Sequence, residues 1–389
     1  MMVVYWATKL RGFLRHISEY SSDVRFEQKN QYYETSNKLH ILKSKLIRSR
    51  ILDPVGLFQI IPISGKDCDA YGSYNRFLKA DRPYFIYLEN PTALYHYALG
   101  RLKFPLGKKR FQKCLEDPNL KYIVCMSEAC RSTFEKINMP LPEHVRMKTI
   151  YPLVPQNKHV NEDVIRKKCY DEVLECLYCV QGKSFYTKGG RDVLNVVAKL
   201  QKEGYKIHLT VITHIAALQK ETLSLIAEQE NISLYDFTFS YDQMEEIYSK
   251  TAVLLQPSSA DSFGLTVLEA VKGGAAILGS RLYAFPEMIE DKENGVLIDP
   301  MYWTFTPDNM PNAIAWGYEK KVRLSKKKSQ KYINDIENAL KALYRDRQML
   351  FAFSKKSLEI ANTKFGVETV CEQWSDVWNS LKGTNQNET

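Results

Sequence analysis

A chain of 389 residues, 44% hydrophobic and 25% charged, with 18 glycines and 15 prolines, has a globular composition and enough length for two or three domains. That excludes disordered, collagenous and low-complexity classes, and no apolar run approaches the roughly 18 residues of a membrane span. The formal charge of +9 is uneven, since residues 1–150 carry 25 Lys/Arg against 14 Asp/Glu and the rest is close to neutral.

In chain order, Met1–Ala7 is too short for a signal-peptide core and has no basic flank, so no leader is expected and a reducing cytoplasm is. Short apolar runs at Val3–Trp6, Val24–Phe26, Leu57–Ile61, Tyr84–Leu88, Tyr122–Met126 and Lys148–Leu153 read as strands. Helical patterns fall at Phe13–Tyr20, Thr35–Leu52, Thr92–Leu102 and Glu128–Ile137. Pro152, Pro155 and the polar Gln156–Asn161 read as a linker. A second series of strands follows at Val173–Gln181, His208–Ile212, Phe237–Phe239, Ala252–Leu255 and Ala275–Leu278. Its helices are Gly190–Lys202, Leu218–Glu230, Gln243–Ser249 and Gly264–Lys272. Strands alternating with helices predict parallel sheets covered on both faces. The expected architecture is therefore α/β, two tandem Rossmann-like domains facing across a cleft. The expected boundaries are 1–155, 156–365 and a C-terminal helix and tail, 366–389, packing back toward the first domain. The helical end Ser325–Lys382 carries Phe365, Trp374 and Trp378, which need burial.

Two segments concentrate the positive charge: Lys38–Arg50, with a Leu stripe at helical spacing, and Arg101–Lys113. Basic amphipathic helices suit an anionic membrane surface, the alternative being a solvated face packed on its Leu stripe. No helix-turn-helix, zinc-finger or RNP-like motif accompanies the charge, so nucleic acid is not an expected partner. Cys176 and Cys179 have metal-like spacing, but no second Cys or His pair completes a zinc site. They lie in a predicted strand where residues three apart face opposite ways, so core thiols are expected.

Ligands of open α/β sheets bind beyond the carboxyl ends of the strands, so residues just after strands are the informative ones. Pro257–Ala270 follows a predicted strand and runs into a helix. Gly264 has no Cβ, so a ligand can approach its backbone. The first helical amides, around Gly264, Leu265 and Thr266, would point at an anion such as a diphosphate. Glu269, four residues past Leu265, lies on the same helical face about 6 Å further along. That separation suits a carboxylate accepting hydrogen bonds from the ribose of the same nucleotide. A charge complementing the helix start is the plainer alternative.

With Asp261 eight residues before Glu269, this stretch resembles the Glu-x7-Glu signature of family 4 retaining glycosyltransferases of the GT-B fold. Gly273-Gly274, Ser280, Pro286-Glu287, Asn294-Gly295 and Asp299-Pro300 continue the resemblance, as do Gly182-Lys183 and Lys188-Gly189-Gly190 upstream. It implies a metal-independent transferase moving a sugar from a nucleotide-sugar, a UDP- or GDP-sugar, to a glycan or lipid-linked acceptor. No cofactor and no metal are implied. Lys183 and Lys188 would stabilise the departing diphosphate, since fixed cations can do so without a metal. Glu269 would hold the ribose, Asp261 the donor sugar, and Phe239 with Ser240 would stand beside the base. Phe263, in the same loop, would also contact the nucleotide-sugar. Asp261 departs from the usual Glu by one methylene.

The first domain resembles the family less closely. Gly12 alone represents the glycine-rich loop after the first strand. Glu89 stands after Tyr84–Leu88, where many members carry His, and could orient the acceptor or act as a base. A local hydrogen bond is the alternative role. The basic first domain would meet the acceptor, with peripheral contact to the anionic inner face of a membrane. Three other readings compete. Asp67-Cys68-Asp69 could hold a metal in a GT-A enzyme. A nucleotide-sugar epimerase would share the fold but needs an acid/base pair that is not visible. A non-catalytic subunit would keep only binding.

Overall fold

The computed structural model describes residues 1–28, 49–316 and 329–384. The chain separates into two compact units, one of Met1–Leu153 with Val367–Thr389 and one of Val154–Gly366.

The first unit holds strands β1 (Met2–Trp6), β2 (Val24–Glu27), β3 (Ile60–Ile63), β4 (Ala70–Tyr74), β5 (Phe77–Ala80), β6 (Tyr84–Leu88), β7 (Leu120–Cys125) and β8 (Arg146–Thr149). Six form one parallel sheet in the order β2-β1-β4-β6-β7-β8, while β3 and β5 pair apart as a parallel couple. β6 is buried along its whole length, as a central parallel strand covered on both faces should be. The C-terminal helix Val367–Thr384 covers one face, where Trp374 and Trp378 stack 4.8 Å apart. Both rings meet Phe85, and Trp378 also meets Phe26.

Several expectations need correction here. Thr92–Leu102 is not a helix but two short 3-10 turns, Pro91–Tyr95 and Arg101–Lys103. His96 and Tyr97 adopt left-handed backbone between them, which no α-helix tolerates. The regular helix comes later, at Pro105–Leu115, and β4 and β5 are additional strands. Leu57–Ile61 is shifted to β3 and lies outside the main sheet. The basic residues Lys38, Lys43, Lys45 and Arg48, with most of the helix expected at Thr35–Leu52, lie outside the described residues.

The second unit holds β9 (Leu174–Cys179), β10 (Ile207–Ile212), β11 (Ile232–Tyr235), β12 (Val253–Gln256), β13 (Ala276–Ser280) and β14 (Gly295–Ile298). All pair in parallel, in the order β11-β10-β9-β12-β13-β14. The strand expected at Phe237–Phe239 is β11 instead, because its partner β10 ends at Ile212, opposite Tyr235. Two buried lysines close helix ends, where carbonyls lack intrahelical partners. Lys168 donates to the Gly273 carbonyl at 2.7 Å. Lys272 donates to those of Ala361 and Phe365 at 3.1 and 2.7 Å. None of the eight cysteines is in a disulfide, and Cys176 and Cys179 are buried core thiols. Among the described residues no helix is long and apolar enough to cross a membrane.

Candidate active site

In the second unit the chain winds outward from β9 to β11, then returns to lay β12 on the other side of β9. The loops after β9 and β12 therefore diverge, and an open crevice at the carboxyl ends of these two strands is the expected ligand position. Glycine sets how closely the loops approach. A Cβ on Gly182 would stand 2.8 Å from the Cβ atoms of His214 and Ala217. Gly189 has φ +87°, and its Cβ would lie 2.5 Å from the Tyr332 hydroxyl and 2.9 Å from the Pro257 carbonyl. Tyr332 donates to that carbonyl at 2.6 Å, and the Ser259 amide donates to the Thr187 carbonyl at 3.1 Å. The two loops are thus bonded to each other.

On this frame the Lys188 Nζ lies 2.6 Å from Asp261 Oδ2, with both side chains mostly buried. Asp261 Oδ1 also accepts the Ser262 amide at 3.1 Å. Lys183 occupies the 3-10 turn Gly182–Ser184 directly after β9, and its side chain lies outside the described residues. Gly264, at φ +88°, precedes the helix Leu265–Lys272 and has no side chain with which to cap it. Other helices here do have side-chain caps, as Ser240 shows by accepting the Gln243 amide at 3.2 Å. Phe263 is buried, so it supports the loop from beneath.

Glu269 is partly buried, and its Oε2 accepts the Tyr248 hydroxyl at 2.7 Å. Desolvation pushes its carboxyl up to about 7, with the Tyr248 hydrogen bond pulling the other way. Burial above all, and then the Glu269 charge, holds the Tyr248 phenol well above its usual range. Glu269 opens onto a cavity of about 260 Å³ lined by Phe237, Phe239, Ser240, Tyr248 and Thr266 among others. Phe239, Ser240, Thr266 and Glu269 are thus brought together in one recess. Lys188 and Asp261 form their own pair on the neighbouring loops. Sequence reasoning missed Tyr248, Phe237 and Tyr332. The hydrogen-bond partners of Tyr248 and Tyr332 lie 21 or more residues away, and no local pattern marks them.

In the first unit Glu89 sits at the end of β6. Its Oε2 accepts the Tyr74 hydroxyl at 2.6 Å, its Oε1 accepts that of Tyr97, and its amide donates to Asn75 Oδ1 at 3.0 Å. The Arg11 guanidinium lies 5.4 Å from the centre of the Tyr74 ring. Asn75 and Tyr97 both have positive φ, strain of the kind that gathers at functional positions. Gly12 begins the helix Gly12–Tyr20, and a Cβ there would meet nothing within 4 Å. In the Asp-x-Asp stretch, Asp69 Oδ2 accepts the Val3 amide at 2.7 Å, a structural bond that ties down β1. Among the described residues, the group whose ligand atoms could gather round a metal is His159, Asp242 and Glu245, where Lys158 already pairs with Asp242.

Residues 175–344 match the family described as Glycosyl transferases group 1. The O-antigen biosynthesis glycosyltransferase WclY of Escherichia coli is 28% identical over 167 residues, which is 39% of this chain and 43% of WclY. The chain spans less than half the length of the curated relatives it matches. Among solved structures, HepE of Anabaena in complex with UDP-glucose superposes with a TM-score of 0.62 at 13% identity, covering 98% of this chain and 100% of that one. Sucrose-phosphate synthase from Thermosynechococcus elongatus gives 0.64 at 11% identity, covering 99% and 100%. The fold is thereby that of GT-B proteins, α/β with two parallel sheets and C-terminal helices.

Proposed function

We propose that the protein is a retaining, metal-independent glycosyltransferase that moves a sugar from a UDP- or GDP-sugar to a glycan or lipid-linked acceptor. The observation that carries this reading is the set of groups on the segments that follow β9 and β12: a lysine–aspartate pair, a helix start without a side-chain cap and a partly buried glutamate that opens onto an aromatic recess. The likeness to a group 1 family over 175–344, and to a HepE structure holding UDP-glucose, supports it.

In this reading the base enters the recess at Phe237, Phe239 and Ser240. Glu269 accepts from the ribose with the oxygen that Tyr248 leaves open. The diphosphate meets the amides of Leu265 and Thr266, which the dipole of their helix makes favourable for an anion. Cleavage of the sugar–phosphate bond adds negative charge to the departing nucleotide. Lys188 and Lys183 offset that charge, Lys188 turning from Asp261 toward phosphate as it develops. Asp261, released from the lysine, accepts hydrogen bonds from the donor sugar. In the first unit Glu89, fixed by Tyr74 and Tyr97, orients the acceptor hydroxyl.

The test is a thermal-shift panel of UDP, GDP, ADP, CMP and their sugars in EDTA. A ligand at about 100 times its Kd adds roughly 2.7 kcal/mol, so the matching nucleotide should stand out. Stabilisation by none of them would overturn the donor site. Sugar found only as an epimer of the free donor, never on an acceptor, would overturn transfer. With the donor known, Lys188→Ala should lower kcat on the order of 10²–10³-fold, the usual cost of losing one charge-stabilising donor. Undiminished turnover would remove Lys188 from the phosphate role.

A further inference from the structure

The first residues of the second unit bring together side chains that sugar transfer does not use. That unit begins at Val154, and its opening stretch is fastened to the helix Tyr241–Lys250 by the buried Asn157. Asn157 Nδ2 donates to the Glu245 carbonyl at 2.7 Å, and its Oδ1 accepts the His159 amide at 2.9 Å. One side chain thus sets the spacing between two stretches of backbone. Those stretches carry His159, Asp242 and Glu245. His159 Nε2 lies 3.4 Å from Asp242 Oδ1, and the ligand atoms of all three residues lie within 4.8 Å of one another. Residues three apart share a helical face, so Asp242 and Glu245 stand on the same side. The helix start is held by a reciprocal cap. Ser240 Oγ accepts the Gln243 amide at 3.2 Å, and Gln243 Oε1 accepts the Ser240 amide at 2.9 Å.

A cation of the protein's own already sits here. Lys158 pairs with Asp242 Oδ1, the same oxygen that His159 faces. Both members of that pair are exposed, so it is a surface ion pair, weak and readily exchanged. If the ammonium swings into solvent, an imidazole and two carboxylates remain. That mixed nitrogen and oxygen set suits a divalent ion of the zinc class, whereas magnesium and calcium take oxygen ligands. Zinc–ligand bonds of about 2.0–2.2 Å put neighbouring ligand atoms roughly 3.4 Å apart, so His159 and Asp242 stand at the required separation. Glu245 closes by roughly 1 Å. His159 lines a cavity of about 780 Å³ and Glu245 lines the recess of about 260 Å³, so an ion has a way in.

We propose that His159, Asp242 and Glu245 bind one divalent transition-metal ion, which displaces Lys158 and braces the segment after Val154 against its helix. With three protein ligands, the fourth position of a tetrahedral ion is left to water. The site shares no residue with Lys183, Lys188, Asp261 or Glu269. It therefore stands or falls separately from sugar transfer.

Titration of the full chain with cobalt(II), after stripping with EDTA and removal of the chelator, tests it. The wild type should take up one equivalent with the visible absorption of a tetrahedral site, and zinc should displace the cobalt. His159→Gln and Asp242→Asn should each weaken binding on the order of 10–100-fold, no less than the loss of a group that merely orients a ligand. Lys158→Met should tighten binding about two- to fivefold, because a surface ion pair no longer competes for Asp242. In EDTA these variants should melt close to the wild type. Zinc should then raise the melting temperature of the wild type and of Lys158→Met, and leave that of His159→Gln unchanged. Absence of the visible band, undiminished binding by His159→Gln or weaker binding by Lys158→Met would overturn the proposal. A near-ultraviolet thiolate band would also overturn it, by assigning the metal to a cysteine such as Cys371, the one of the eight free thiols that is not buried.

Discussion

At the scale of single residues, the chemistry concentrates in Glu269. An ionised carboxylate accepts hydrogen bonds from a ribose diol with its open oxygen, whereas a protonated one has lost part of that capacity. Desolvation holds the group at about 7, so nucleotide affinity should rise as pH increases through 7 and level off above it. Isothermal titration of the matching nucleotide across that range should show the rise for the wild type and a flat, weaker profile for Glu269→Gln. A flat wild-type profile would contradict the ribose contact. The same shift bears on stability with the opposite sign. The folded protein holds this proton more tightly than the unfolded chain, whose value lies near the ordinary 4.5. The contribution is complete below 4.5 and is lost as pH climbs toward 7. Binding should therefore improve over a range in which this carboxyl contributes less and less to stability.

At the scale of elements, glycine decides how the loops enter their helices. Gly264→Ala would force an L residue to φ +88° and set its Cβ 2.5 Å from the Phe285 ring. A melting experiment should show a loss of roughly 1–3 kcal/mol, the usual cost of such strain. An unchanged melting temperature would mean that the loop has another conformation. Elements also show what was legible in advance. β1, β6, β9, β12 and β13 are short apolar runs, and each was readable as a buried parallel strand. β4 was not, because Ala70–Tyr74 contains Gly72 and Ser73, which have little strand propensity. Gly72 is needed there because a Cβ would meet the Trp6 ring at 2.9 Å, a tertiary reason that no local pattern carries. Thr92–Leu102 had a helical pattern of apolar residues, yet left-handed backbone at His96 and Tyr97 prevailed. At the site, the loop glycines and the Asp261–Glu269 spacing were readable. The Lys188–Asp261 pairing and the phenols on Glu269 and Glu89 depend on strand order, which spacing does not encode.

At the scale of the whole molecule, the first unit is built from both ends of the sequence. Its sheet is finished by Trp374 and Trp378, both fully buried against aromatic residues of β6. Trp374→Ala should cost about 3–5 kcal/mol, as large-to-small changes in a core do. Limited proteolysis should then open the segment Met1–Leu153 before Val154–Gly366. Simultaneous cleavage of both would show that they unfold as one body. The discontinuity also matters during synthesis. A ribosome completes β6 long before it reaches Trp374, with the roughly 210 residues of the second unit still to be made. At about 5–20 residues per second the roughly 285 residues from Leu88 to Trp374 leave the aromatic face of β6 without its lid for roughly 14–57 s. For that interval the nascent chain presents a sticky half-built sheet beside a growing neighbour, and its yield in a cell depends on what shields that sheet until the last helix emerges.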